Sequence, residues 1–297
     1  MFYSFGEQYA YNLLYTVAKP FFTRPVAELE TADFKGAYQK WVAAVQPALP
    51  AATLGQPECV EDAEREAALI QPLVSQSALD DRAVYKHADF GIAHGDRSVT
   101  ARQAVHVRDQ LAAFHAKDAS FWEVFDLYVN YLALPRSKYT QGGTSSLALG
   151  VIYLVDPDKR NADTLYELLV HESTHLMMFV DERRTRHYRS DALLVDPANF
   201  SISAVYERLR PLDKALHSIA VATEVLLHRE AVLGHANEST IHPPTAKLAP
   251  STLRACDSLL ELQARKQLLA PRGVLIVETC AKLLRDIVRP AHSVSAA

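Results

Sequence analysis

The 297-residue chain holds only three cysteines, three methionines and two tryptophans. Cys59, Cys256 and Cys280 are odd in number, far apart and without Cys-x-x-Cys spacing, so neither a disulfide framework nor a cysteine metal site is indicated. A reducing cytoplasm is the compartment that fits. No run reaches the roughly 20 apolar residues that cross a bilayer, and the start, Met-Phe-Tyr-Ser-Phe-Gly-Glu-Gln, lacks the basic end and apolar core of a secretory signal. A membrane is therefore not an expected partner. Charge of one sign is also missing: 31 Lys and Arg face 35 Asp and Glu, and no long basic block could follow a phosphate backbone. Nucleic acid is not an expected partner either. The densest basic group, Arg183, Arg184, Arg186 and Arg189, reads first as a solvated loop and second as a grip for an acidic substrate.

What is present is apolar mass. Hydrophobic residues make up 49% of the chain, enough for a sizeable core, and no Ser/Gly-rich or strongly charged linker divides it. A single domain over residues 1–297 is the simpler expectation. Helical periodicity dominates: Tyr9, Leu13, Leu14 and Val17 precede Pro20, and Phe121, Trp122, Phe125, Val129 and Leu132 precede Pro135. Similar patterns run over about 33–45, 60–78, 100–116, 251–269 and 273–289, with proline-containing breaks near 47–57 and 243–250. The aromatic stripes read as core. The clearest strand is Leu147–Val155, an apolar run preceded by Gly142-Gly143 and ended by Asp156-Pro157, which should be buried on both faces. Thr164-x-x-Glu167 then reads as a capping box opening the next helix. The fold expected is mainly α (α+β): a helical domain with a small sheet, without internal repeats, and with a short polar tail after Arg289.

That helix carries His171-Glu-Ser-Thr-His175. Residues four apart stand one turn above each other, so the two imidazoles can address one ion, while Glu172 would stand beside a metal-bound water if the chemistry were hydrolytic. Two histidines and a carboxylate in an otherwise apolar helix are costly to bury without a partner. A catalytic metal needs a third ligand. Asp181 has the spacing of an extended motif whose tight turn normally carries glycine where this chain has Met178. A second helix, which Pro211 can open and which continues through Leu216, Ile219, Leu226 and Leu227, brings His217, Glu224 and His228 near one face. His217 and Glu224 lie two turns apart, so only one of them is expected to reach the ion. The metal centre is expected between the two helices.

From Thr144-Ser-Ser-Leu-Ala-Leu-Gly150, through Leu169-Val-His-Glu-Ser-Thr-His-Leu176, to Arg210-Pro-Leu-Asp-Lys-Ala-Leu-His217, the chain resembles the 2-oxoglutarate-dependent HExxH-type peptide β-hydroxylases of RiPP (ribosomally synthesised and post-translationally modified peptide) biosynthesis. The resemblance spans about 144–230, the expected catalytic core. It implies that His171, His175 and His217 hold Fe(II), that Arg210 binds an anionic cosubstrate, 2-oxoglutarate, and that a precursor peptide is hydroxylated at Cβ. Iron with three protein ligands keeps open positions for cosubstrate and dioxygen, and a guanidinium offers the bidentate geometry a carboxylate prefers. Glu172 would then position substrate, water or a neighbouring ligand. Iron oxygenases more often use two histidines and a carboxylate, a set that Glu224 would restore. The rival enzyme is a zinc peptidase of gluzincin-like type, with Glu224 on zinc and Glu172 activating water. A non-catalytic helical peptide binder is a further alternative.

Overall fold

Apolar residues recurring every three or four positions, prolines at helix ends and one long apolar run set most elements of this chain. The structure, a computed structural model, describes residues 1–80, 92–93, 96–138, 140–235 and 240–288. It is mainly helical with a small mixed sheet, as the periodicity implies. The described chain falls into two compact units, Phe2 with Ser4–Arg184, and Met1 with Tyr3 and the chain from Thr185 onward. The polar tail after Arg289 lies outside the described residues.

The first unit contains helices α1 (Phe2–Phe5, with Tyr3 assigned to the second unit), α2 (Glu7–Ala18), α3 (Thr31–Val45), α4 (Ala63–Asp80), α5 (Arg97–Lys117), α6 (Ala119–Tyr128) and α7 (Ala162–Arg184). Its strands are β1 (Glu58–Cys59), β2 (Tyr131–Ala133), β3 (Gly142–Ser145) and β4 (Ala148–Leu154), in the order β1-β2-β4-β3. The first three neighbours run parallel, and β3 runs antiparallel to β4. Strand β4 is buried along its whole length, as an apolar run covered on both faces should be. Val60, Leu69, Tyr131, Val151, Tyr153 and Val155 cluster around it. The aromatic stripe of α6 is core: Trp122 lies 4.6 Å from Phe125 between ring centroids, and Phe114 stacks on Tyr166 of α7 at the same separation.

Glycine explains how α7 meets the sheet. A Cβ on Gly142 would stand 3.3 Å from Leu168 of α7, and one on Gly143 would stand 2.5 Å from the Tyr153 ring. The pair lets β3 pass beneath the helix and lets Tyr153 lie across the strand.

Three sequence expectations are corrected here. The pattern Phe121–Leu132 is not one helix: α6 stops at Tyr128 and Tyr131–Ala133 forms β2, paired to β4. Val129, Tyr131 and Leu132 satisfy helical spacing, yet aromatic and β-branched residues also suit a buried strand, and the sheet wins. Helix α7 opens at Ala162, capped by Asn161, whose Oδ1 accepts from the Thr164 amide at 2.8 Å. Thr164 is therefore inside the helix, and Glu167 is buried. The break at 243–250 is shorter than expected, because the helix after it starts at Thr245 and carries Pro250 near its beginning.

The second unit holds the short antiparallel pair β5 (Ser201–Ile202) and β6 (Leu209–Arg210), then α8 (Leu212–His228), α9 (Thr245–Lys266) and α10 (Pro271–Val288). The three helices pack together, and α8 is buried over nearly its full length. A Cβ on Gly273 of α10 would collide with the carbonyl oxygen of His187, so glycine there allows the chain after α7 to press against α10. All three cysteines are buried and free. No described helix is long and apolar enough to cross a membrane.

Candidate metal centre

Helix α7 is buried around most of its circumference. The residues of its central turns that are partly accessible fall at His171, His175 and Phe179, spaced four apart and hence on one stripe. The two histidine rings lie 4.9 Å apart between centroids, and the His175 ring is nearly parallel to that of Phe179, 6.4 Å away. Ser173 and Thr174, the polar residues between them, turn inward and bond back to the carbonyl of Val170 at 3.1 and 2.7 Å. Those hydroxyls are satisfied within the helix, leaving the imidazoles as the polar groups offered by the stripe.

Glu172 points into the unit, 4% exposed, with Oε1 3.9 Å from His171 Nε2. Burial pushes its carboxyl up to about 8. Asp181, a candidate third ligand, is not returned towards His175 by a turn, because α7 continues unbroken to Arg184. Its buried carboxylate accepts from the Tyr9 hydroxyl at 2.5 Å. This corrects the extended-motif option: six residues of continued helix carry Asp181 to another face.

The second group of candidates lies on the second unit. His217, one and a half turns into α8, is 5% exposed. Burial, and then the charges of Lys214 and His187, hold its imidazole well below the usual histidine range, the neutral form that a metal ligand requires. Arg210 ends β6, immediately before Pro211, which caps α8. Its guanidinium lies 5.0 Å from the centroid of Tyr206, and Arg208 lies 5.3 Å from the same ring. Two arginines thus share one half-exposed aromatic ring.

Glu224 and His228, one turn apart on α8, have another engagement. Glu224 Oε2 accepts from the Tyr3 amide at 2.8 Å and lies 3.3 Å from the Met1 amine, while the Tyr3 hydroxyl pairs with His228 Nδ1 at 2.9 Å. Both side chains are buried. Sequence spacing placed these residues on a ligand face; the structure shows them holding Met1 and Tyr3. No local pattern in Met-Phe-Tyr signals that contact, which joins residues more than 200 positions apart.

The arrangement fits the histidine half of a metal site. His171 and His175 share an accessible face and a short separation, as two ligands of one ion must. Among the described residues, no set of three or more His, Cys, Asp or Glu side chains is gathered to hold a metal ion. His171 and His175 are brought together on the first unit, whereas His217 and Arg210 belong to the second. No protein-family model matches the chain, and no curated protein matches it.

Proposed function

We propose that this chain is an Fe(II)- and 2-oxoglutarate-dependent oxygenase that hydroxylates Cβ of a residue in a ribosomally made precursor peptide. The observation that carries the reading is the pairing of His171 and His175 on the accessible stripe of a helix otherwise buried. Buried histidines serving only the core would be expected on the faces that Leu168, Leu169 and Leu176 occupy. Following the resemblance, His217 is assigned as third ligand, and Fe(II) with 2-oxoglutarate supplies the activation of dioxygen that hydroxylation requires.

The remaining roles are those of the chain's own groups. His171 and His175, one turn apart on the accessible stripe of α7, would supply two imidazole ligands to one ion. Arg210 would pair its fork of N–H donors with the carboxylate of the cosubstrate remote from the metal, its guanidinium oriented by the Tyr206 ring. Glu172 is a positioning residue in this reading, held inside the helix packing beside His171.

What favours this reading over a zinc peptidase is Glu224, the carboxylate that a gluzincin-like site needs on its metal. It is already engaged by the Tyr3 amide and the Met1 amine. The test is metal analysis of protein purified without added metal, together with succinate release in the presence of Fe(II), 2-oxoglutarate and candidate precursor peptide. Succinate coupled to a peptide mass gain of one oxygen is the expected result. Peptide cleavage that needs zinc and ignores 2-oxoglutarate overturns the proposal.

A further inference from the structure

Strand β3 ends its sheet, with β4 on one side and no strand on the other among the described residues. Its pairing tells which backbone groups face that open side. The Val155 amide donates to the Gln141 carbonyl at 3.0 Å, and Gly142, Gly143 and Thr144 stand opposite Leu154, Tyr153 and Ile152. Residues of an antiparallel pair alternate between bonding across it and facing away, so Gln141 and Gly143 face β4, while Gly142 and Thr144 turn their N–H and C=O groups to the open edge. The Gly142 carbonyl accepts from the Thr140 hydroxyl at 2.8 Å. The Gly142 amide and both backbone groups of Thr144 have no hydrogen-bond partner among the described residues, and the Thr144 hydroxyl donates to the Val151 carbonyl at 3.0 Å.

Gly142, Gly143 and Thr144 are each partly exposed. A glycine has only main chain to expose, so at Gly142 and Gly143 the strand's own backbone is open to solvent. The edge also runs alongside the histidine helix. A Cβ on Gly142 would stand 3.3 Å from Leu168, and Arg183 donates to the Ser146 carbonyl at 3.2 Å, so α7 follows β3 from one contact to the other. His171 and His175 fall between those two contacts along the helix.

An edge of unpaired donors and acceptors is a template for one more strand. Two features choose a peptide over a second copy of the chain. Only two residues of β3 face outward, and very short edge strands resist edge-to-edge pairing of folded chains. Antiparallel pairing of two β3 edges would also bring Arg183 of one copy, bound at Ser146, towards Arg160 of the other, bound to Gln141 Oε1 at 2.8 Å, and opposed like charges destabilise such a pair. We propose that the open edge of β3 docks an extended peptide as an added strand, held by the Gly142 amide and by the Thr144 amide and carbonyl. That the docked peptide is the hydroxylation substrate rests on the proposed function; the strand addition itself needs no metal.

The test selects a dodecapeptide from a random displayed library on the chelator-treated full chain, then measures its binding calorimetrically as each peptide residue in turn is N-methylated. Only alternate residues of an added strand turn their N–H towards β3, so N-methylation should weaken binding by about 10-fold at every second position of the bound stretch and leave the positions between nearly unchanged. On the protein, Thr144→Pro removes the outward amide at a place where an edge strand tolerates proline, and should weaken binding by about 10-fold, whereas Thr144→Val keeps the amide and should bind within about 2-fold of the native chain. Should Thr144→Pro fold poorly, the N-methyl scan on the native chain decides alone. Loss without a period of two, undiminished binding by folded Thr144→Pro, or no peptide bound at millimolar concentration overturns the proposal. So does a dimer that Thr144→Pro dissociates and that binds no peptide, which would give the edge to a second copy. Because binding is read without metal, a period-two scan together with no succinate release keeps the docking edge and overturns the hydroxylase reading alone.

Discussion

Replacing Glu224 with glutamine separates the two enzymatic readings, because the carboxylate has one task in the structure and another in a zinc peptidase. In the structure it is 1% exposed and accepts from the Tyr3 amide at 2.8 Å beside the Met1 amine at 3.3 Å. A hydrogen bond to a charged acceptor contributes about 1.5–3 kcal/mol, of which a glutamine carbonyl retains a part. The amine loses its counter-ion, and shedding its proton at about one pH unit below its ordinary pKa costs about 1.4 kcal/mol. Together these give a loss of about 2–3 kcal/mol, well under the limit of about 3–5 kcal/mol for breaking a buried pair whose survivor cannot neutralise itself. At about 2–4 °C per kcal/mol, Tm should fall by about 4–12 °C. The assay is thermal unfolding followed by circular dichroism on chelator-treated protein, with metal content measured separately on the untreated variant. Lower Tm without metal, and unchanged metal content, is the expected pair of results. An unchanged Tm in the metal-free protein accompanied by loss of bound metal would refute the assignment of Glu224 to the N-terminal contact.

Three further outcomes follow from the same geometry. His171→Ala and His175→Ala should each abolish stoichiometric metal binding while altering unfolding free energy by no more than about 1 kcal/mol, because both rings are partly exposed; a folded variant that keeps its metal contradicts the ligand role. Tyr9→Phe removes the 2.5 Å donor to buried Asp181 and should cost about 1–3 kcal/mol in urea unfolding, with metal content unaffected; a loss of metal instead would return Asp181 to the ligand set. Gly143→Ala places a Cβ 2.5 Å from the Tyr153 ring and should destabilise by about 1–3 kcal/mol, whereas a neutral result would mean that Tyr153 can swing aside freely.

Two kinds of residue were readable from sequence for different reasons. The β4 run and the His-Glu-Ser-Thr-His helix announce themselves locally: continuous apolarity demands burial on both faces, and i, i+4 spacing puts two imidazoles in register whatever the rest of the chain does. The element after α6 failed because Val129, Tyr131 and Leu132 fit either period, and only pairing with Val151 and Ile152 of β4 decides between them. The cap of α7 failed for a smaller reason: Asn161 and Thr164 are both good caps, and a three-residue shift is decided by the turn after Asp156, which adopts a left-handed conformation at φ 48°.

The third ligand was hardest to read because its evidence is not local at all. His217, Glu224 and His228 share one helix, and spacing alone gives each of them equal standing. The choice turns on Tyr3 and Met1, which engage Glu224 and His228 from the opposite end of the sequence. The Glu224 carboxylate already accepts from a backbone N–H, so drawing it onto a metal means breaking that bond and stranding the amide. His217 is held neutral by burial and then by the charges of Lys214 and His187. Under the proposed function, the choice between an iron and a zinc reading therefore rests less on the histidine pair than on the contacts of Glu224 with Met1 and Tyr3, which is why substituting that glutamate discriminates where substituting the histidines does not.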